Sequence, residues 1–206
     1  MTVHNKPRFR TVDITLIGMF AALMAIGANI TSWAPFLQVA GVPLSMQTFF
    51  AVLAGLLLGS RVGAISMAVY MLIGIAGAPV FAGFTAGFGV ILGSTGGFIL
   101  SFIAVAYFAG KIVENKKGSP TLFTFIVAAF VGLFMNYFIG TNYMYLAMNY
   151  WLEVKMGYKA AWGVMGWFII KDIAFTIFAS VISPRIYRAV NHSYQARQID
   201  TTTKVT

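Results

Sequence analysis

The sequence predicts an all-α polytopic membrane protein with six transmembrane helices and cytoplasmic N- and C-termini. Three observations lead there. Of the residues, 59% are hydrophobic and 9% charged, whereas soluble domains carry roughly a quarter charged residues. No Lys, Arg, Asp or Glu occurs in the 47 residues from Ile14 to Ser60, the 49 from Val62 to Gly110, or the 35 from Gly118 to Leu152. The basic residues also fall mainly on one side once the spans are counted through.

The elements follow from those runs. A spanning helix takes about 20 apolar residues, so runs of 47 and 49 residues each suit two helices with a turn between them. The turns are marked by Pro and Gly in "TSWAPFLQVAGVP" (Thr31 to Pro43) and in the glycine-rich segment Gly77 to Gly97. A third pair is divided by the polar, aromatic stretch "NYWLEVKMGYKAAWG" (Asn149 to Gly163). Helices are expected at about 13–30, 45–59, 62–76, 96–113, 121–147 and 167–189. They form a single transmembrane domain over residues 1–206, with short cytoplasmic tails expected at 1–12 and 190–206.

Parity supports this count. In a six-helix chain both termini and the second and fourth loops share one side. That side holds eleven basic residues: both tails, Arg61, Lys111, Lys116 and Lys117. The other side holds Lys155 and Lys159, with Lys171 near it. The excess places the first side in the cytoplasm. The net charge of +9 then reflects topology, and no nucleic-acid partner is expected. The basic start before an apolar run also resembles a signal peptide, but the parity requires that first helix to stay.

Several chemistries lack their residues. There is no cysteine, and the two histidines, His4 and His192, lie in polar ends. Histidine- or thiol-based catalysis and metal ligation inside the membrane are therefore not expected, and no catalytic or metal-binding residue is assigned. No G-x-x-x-x-G-K-[ST] occurs, so no ATP hydrolysis by this chain is expected.

The polar residues inside apolar sequence carry the functional signal. "GWFIIKDIAFTIF" (Gly166 to Phe178) contains adjacent Lys171 and Asp172. Charges within spans are costly and mark functional sites. Neighbours in sequence point about 100° apart on a helix, so each charge is expected to find another partner. One reading is a ligand with hydrogen-bond donors and an anionic group. The other is Lys171 reaching the interface while Asp172 bonds backbone or a tyrosine. Gln47 and Asn142 lie towards the same side. Trp33, Trp151, Trp162 and Trp167 read as an interfacial belt or a pocket wall. Phe81, Phe84 and Phe88 punctuate the glycine-rich loop. On helix 1, Ala21 and Ala25, like Gly18 and Ala22, form small-xxx-small pairs that permit close helix approach, internal or with a partner.

The segment Val42 to Phe98 carries V-P-x-x-x-Q-T-F, then L-A-G-x-L-L-G, Y-x-L-x-G and P-V-F-A-G. In combination these resemble the BioY family, the biotin-specific S-components of energy-coupling factor (ECF) transporters. The resemblance is close from helix 2 to helix 4 and looser elsewhere. It implies a six-helix, high-affinity biotin-binding subunit of an ECF-type ABC transporter in the bacterial plasma membrane. The implied partners are a transmembrane coupling (T) subunit and two cytoplasmic ATPase subunits. No cofactor is implied, biotin being the transported ligand, and the chain is not expected to be an enzyme. The A-x-x-x-A docking element of such subunits falls on Ala21 and Ala25. The family pattern P-F-x-P-G-D-x-x-K, laid from Trp167, puts its aspartate on Asp172. Its lysine position falls on Phe175, and Lys171 stands where the glycine would be. Within this resemblance Asp172 is expected to take the ureido N–H groups and Lys171 the carboxylate. Gln47 and Asn142 would complete the ureido bonds, and Phe81, Phe84 and Trp33 would cover the apolar rings and chain. The alternative is a stand-alone secondary transporter or channel for a small anionic metabolite, with Asp172 as an ion relay.

Overall fold

The computed structural model describes residues 10–31, 38–39 and 42–203, with side chains described for 10–31 and 44–189. Helix α1 (Thr11–Asn29) is followed by a two-strand hairpin of β1 (Gln38–Val39) and β2 (Val42–Pro43), paired antiparallel with Val39 opposite Val42. Then come α2 (Gln47–Ile75), a 3₁₀ turn at Ala82–Phe84 and the short α3 (Phe88–Leu92). Helices α4 (Gly96–Glu114), α5 (Leu122–Tyr150) and α6 (Tyr158–Thr203) complete the chain. Five of these helices, α1, α2, α4, α5 and α6, are long and apolar enough to cross a membrane.

Helix α2 is not a straight rod. Gly59 has φ 81° and ψ 178°, a conformation that residues with a Cβ rarely adopt. There the chain turns back on itself, so that a Cβ on Gly63 would lie 3.0 Å from the carbonyl oxygen of Ala54. The arms 47–58 and 60–75 are about 18 Å and about 24 Å long at 1.5 Å per residue. They correspond to the two helices expected at 45–59 and 62–76. Glu114, the last residue of α4, secures the turn. Its carboxylate accepts from the Ser60 N–H at 2.7 Å and from the Ser60 hydroxyl at 2.6 Å. A carboxylate at the first N–H of the second arm complements that arm's dipole.

The two arms pack on α4 through small residues. Ala51, Ala54, Ala106 and Ala109 are fully buried. Gly55 lies against Ala106 and Gly110 against Ser60, with no room for a Cβ. In lipid, where apolar surface gains little by leaving the solvent, such close van der Waals packing holds helices together. Exposed Phe123, Phe130, Phe134 and Phe138 on α5, with Ile170, Ile177 and Val181 on α6, form the outer apolar surface.

Two boundaries differ from the sequence reading. Helix α6 starts at Tyr158 rather than 167 and runs through Pro184. The polar connection therefore shrinks to residues 151–157, because "KAAW" after Tyr158 contains good helix formers. The glycine-rich segment also holds helical turns, which the sequence reading treated as loop. On α1, Ala21 is buried in the protein's own core and Ala25 packs half-buried against it, while Gly18 and Ala22 are exposed.

Candidate ligand-binding site

A cavity of about 220 Å³ lies at the end of the bundle opposite Gly59 and Glu114. The start of α2, the segment 81–95, the start of α4, the second half of α5 and the first half of α6 enclose it. Its walls are chiefly aromatic and thioether: Phe81, Phe98, Phe102 and Phe168, with Met144, Met148, Met156 and Met165. A mostly apolar hollow with a few placed polar groups is the usual design for small-molecule capture. Methionine adapts its shape to what it touches.

Lys171 and Asp172 both line this cavity. Contrary to the expectation that adjacent residues diverge, the Lys171 Nζ lies 2.7 Å from Asp172 Oδ1. The long lysine stem curls back, which a shorter side chain could not do. Each charge also finds the further partner that burial demands. The Lys171 ammonium donates to the Ser45 carbonyl just before α2. The Tyr137 hydroxyl of α5 donates to Asp172 Oδ2 at 2.8 Å. The side chains are 18% and 5% exposed, respectively, so Lys171 turns into the protein rather than out to the interface. Its Nζ stands 5.9 Å from the centre of the Phe175 ring, one turn along the helix.

Gln47 lines the cavity at the first turn of α2, and its Nε2 donates to the Tyr70 hydroxyl at 2.9 Å. Tyr70 donates onward to the Val80 carbonyl at 3.1 Å. Phe81 follows, fully buried and edge-on to Tyr70 with centroids 5.6 Å apart. Asn29 of α1 binds the same segment, donating to Val80 O at 3.3 Å and accepting from Phe84 N at 2.7 Å. The far end of the segment is held by α5 and the residue after it. Tyr143 donates to Ile91 O at 2.7 Å and Trp151 to Leu92 O at 2.6 Å.

Of the residues expected in the site, Asp172, Lys171, Gln47 and Phe81 come together around the cavity. Asn142 does not line it. Its amide bonds Phe138 O at 2.6 Å and the Tyr158 hydroxyl at 3.2 Å. Phe84 is half exposed, with φ 55°, and also lies outside the lining. Trp33 falls outside the described residues. Sequence reasoning missed Asn136 and Tyr137. Asn136 is 2% exposed and linked to Ser101 at 2.8 Å and Thr48 at 3.3 Å. A signal was present, since Asn136 is an amide in the middle of an uncharged 35-residue run, where buried polar groups need partners.

The chain is 54% identical over 187 residues to a Bacillus subtilis (strain 168) protein named "Putative biotin transporter BioYB", covering 91% of this chain and 93% of that one. It is 36% identical over 182 residues to a Lysinibacillus sphaericus protein named "Probable biotin transporter BioY", covering 86% and 88%. The fold matches a crystal structure of the S-component for biotin from an ECF-type ABC transporter. The TM-score is 0.73 at 20% identity, over 88% of this chain and 95% of that chain. The family model for BioY matches residues 2–192, nearly the whole length, and the chain belongs to the BioY family.

Proposed function

We infer that this chain is the biotin-binding membrane subunit, the S-component, of an ECF-type ABC transporter. It captures biotin at the outer face of the bacterial plasma membrane and delivers it with a transmembrane coupling subunit and cytoplasmic ATPases. Six spans with both termini cytoplasmic complete the reading, the two arms of α2 counting separately. The observation that carries it is the Lys171–Asp172 pair set into an aromatic and methionine-lined cavity. That arrangement suits a small ligand with an apolar body and polar ends, and biotin is the ligand named for the relatives above.

Asp172, Lys171, Gln47 and Phe81 are the proposed contacts, joined by Asn136 and Tyr137. Trp33 remains a proposed cover for the ligand. Asn142 and Phe84 contribute from outside the lining, through the segments they hold. The coupling subunit is proposed to meet α1, whose exposed face carries Gly18 and Ala22 beside Ala21 and Ala25.

Titration of the detergent-purified protein with biotin, by calorimetry and tryptophan fluorescence, tests the reading. Saturable binding of biotin and no response to thiamine are expected. Absence of heat with biotin at micromolar protein would overturn it. Uptake into vesicles lacking the ATPases, driven by pH or potential, would favour a secondary transporter instead.

A further inference from the structure

Of the 11 methionines in the chain, Met144, Met148, Met156 and Met165 line the cavity. They come from one stretch, the second half of α5, the connection after it and the start of α6. No other methionine among the described residues lines it. Filling the space does not require sulfur, since leucine has a similar volume. What the thioether adds is adaptability and a site for oxidation.

These side chains differ in access to water. Residues 151–155 are exposed, and Met156 is the half-buried residue at which this polar connection turns inward. Asn149 holds it there. Met156 N donates to Asn149 Oδ1 at 3.2 Å, and Met156 O accepts from Asn149 Nδ2 at 3.1 Å. Met148 is likewise half-buried, near the end of α5. Met144 lies one turn, about 6 Å, further along that helix and is 6% exposed, and Met165 is 5% exposed. Methionines elsewhere are shielded from water in other ways. Met24 and Met67 are fully buried, and Met19 is exposed on the apolar span α1, where it faces lipid.

We propose that Met148 and Met156 form an oxidation site at the water-facing rim of the cavity, and that their sulfoxides close the cavity to its ligand. The oxidant is hydrogen peroxide, small and uncharged, which enters wherever a ligand enters from water. The sulfur lone pair forms an S–O bond as the peroxide O–O bond breaks. Proton transfer to the departing oxygen releases water. The sulfur loses two electrons and the peroxide gains them. A flexible apolar side chain thereby becomes a polar one. Met148 and Met156 pack against a cluster that includes Leu133, Met144, Met165 and Phe168, so the new oxygen sits in an apolar wall and is costly to desolvate. The oxidation follows from the cavity alone, and its effect on biotin capture rests on the proposed function.

The purified protein is treated with hydrogen peroxide, freed of it, mapped by peptide mass spectrometry and titrated with biotin by calorimetry. Oxygen is expected at Met148 and Met156 before Met144 and Met165, with Met24 and Met67 last. Biotin affinity should fall by about tenfold or more, and incubation with methionine sulfoxide reductases should restore it. Biotin present during treatment should slow oxygen addition at the cavity methionines and leave Met19 unaffected, with peroxide in large excess so that the ligand's own thioether does not deplete it. The double variant Met148→Leu/Met156→Leu, compared with its own untreated sample, should lose most of the peroxide effect. The proposal is overturned if both positions carry sulfoxide and affinity is unchanged. It is equally overturned if Met148 and Met156 react no sooner than Met24 and Met67, or if the loss of affinity is neither reversed by the reductases nor reduced in the double variant. An untreated protein that binds no biotin marks a failure of the proposed function instead, and the order of oxygen addition then still decides whether the oxidation site exists.

Discussion

Gln47 and Tyr70 belong to one helix, 23 positions apart, and share a 2.9 Å hydrogen bond between Nε2 and the phenol oxygen. In a straight helix they would be separated by about 35 Å. The bond exists because the chain reverses at Gly59, and the reversal gives the cavity its floor. It brings Gln47 to the lining and sets Tyr70 under Val80 O and Phe81.

Gly59→Ala should therefore damage the whole molecule from the end remote from the site. At φ 81° and ψ 178° a Cβ costs roughly 1–3 kcal/mol, and here it would also meet the Glu114 carboxylate that holds Ser60. A drop of several degrees in the thermal midpoint of the purified protein is expected. Gly18→Ala, on an exposed α1 position with nothing within 4 Å, serves as the control and should be neutral or slightly stabilising. Equal midpoints for both variants would mean that the turn at Gly59 relaxes without loss.

Much of this architecture was legible in the sequence, for a physical reason. Lipid admits few backbone solutions, so uncharged runs and breakers nearly determine where helices lie. The turn at Gly59 falls at the break expected between helices 45–59 and 62–76, where an apolar run meets Arg61. The site was legible only in part. Asp172 and Lys171 stood out because charge is rare in such sequence. Their mutual contact did not, because helical angles describe where Cα–Cβ bonds point and not where a flexible ammonium ends. Asn142 and Asn136 are six positions apart on α5, and sequence alone chose the one nearer the helix end. Choosing between them required the rotation of α5, which is set by α4 and α6 rather than by local sequence.

The Tyr137 hydroxyl, 2.8 Å from Asp172 Oδ2, is placed to aim the carboxylate. Asp172→Asn should weaken biotin binding by about one to two decades, since a ligand donor loses its ionised acceptor. Tyr137→Phe keeps the ring that packs edge-on against Phe98 and removes only the donor, for an expected loss of roughly three- to tenfold. If Tyr137 acts through Asp172, the tyrosine change adds little in the Asp172→Asn background. A double-mutant cycle read by calorimetry checks this. Simple additivity would mean that Tyr137 acts on the ligand directly or only on packing.

The short helix α3 is held by two adjacent carbonyls, Ile91 O to Tyr143 and Leu92 O to Trp151. Each bond contributes on the order of 1 kcal/mol, so either alone should keep the segment over the cavity most of the time. Tyr143→Phe and Trp151→Phe are each expected to speed biotin release a few-fold. Together they should speed it by more than the product of the single effects, because the last tie is lost. Stopped-flow dissociation measures this, and single-variant rates equal to the wild type would show that the segment is held by packing alone.

The two asparagines of α5 separate site from scaffold most directly. Asn136 is 2% exposed at the cavity wall, with Ser101 donating to its Oδ1 and its Nδ2 donating to Thr48. Asn136→Leu takes the amide donor from the Thr48 hydroxyl, leaves Ser101 its bond to the Phe98 carbonyl, and removes a polar group from the lining. A loss of about tenfold or more in biotin affinity is expected. Asn142→Ala removes a link to Tyr158 and a bond to the Phe138 carbonyl, neither of which faces the cavity. Its affinity should stay within about twofold of the wild type, since substitutions away from the lining usually change free energies by under about half a kcal/mol. The opposite ranking would mean that α5 is rotated in the liganded protein, so that the face carrying Asn142 turns inward and the one carrying Asn136 turns away.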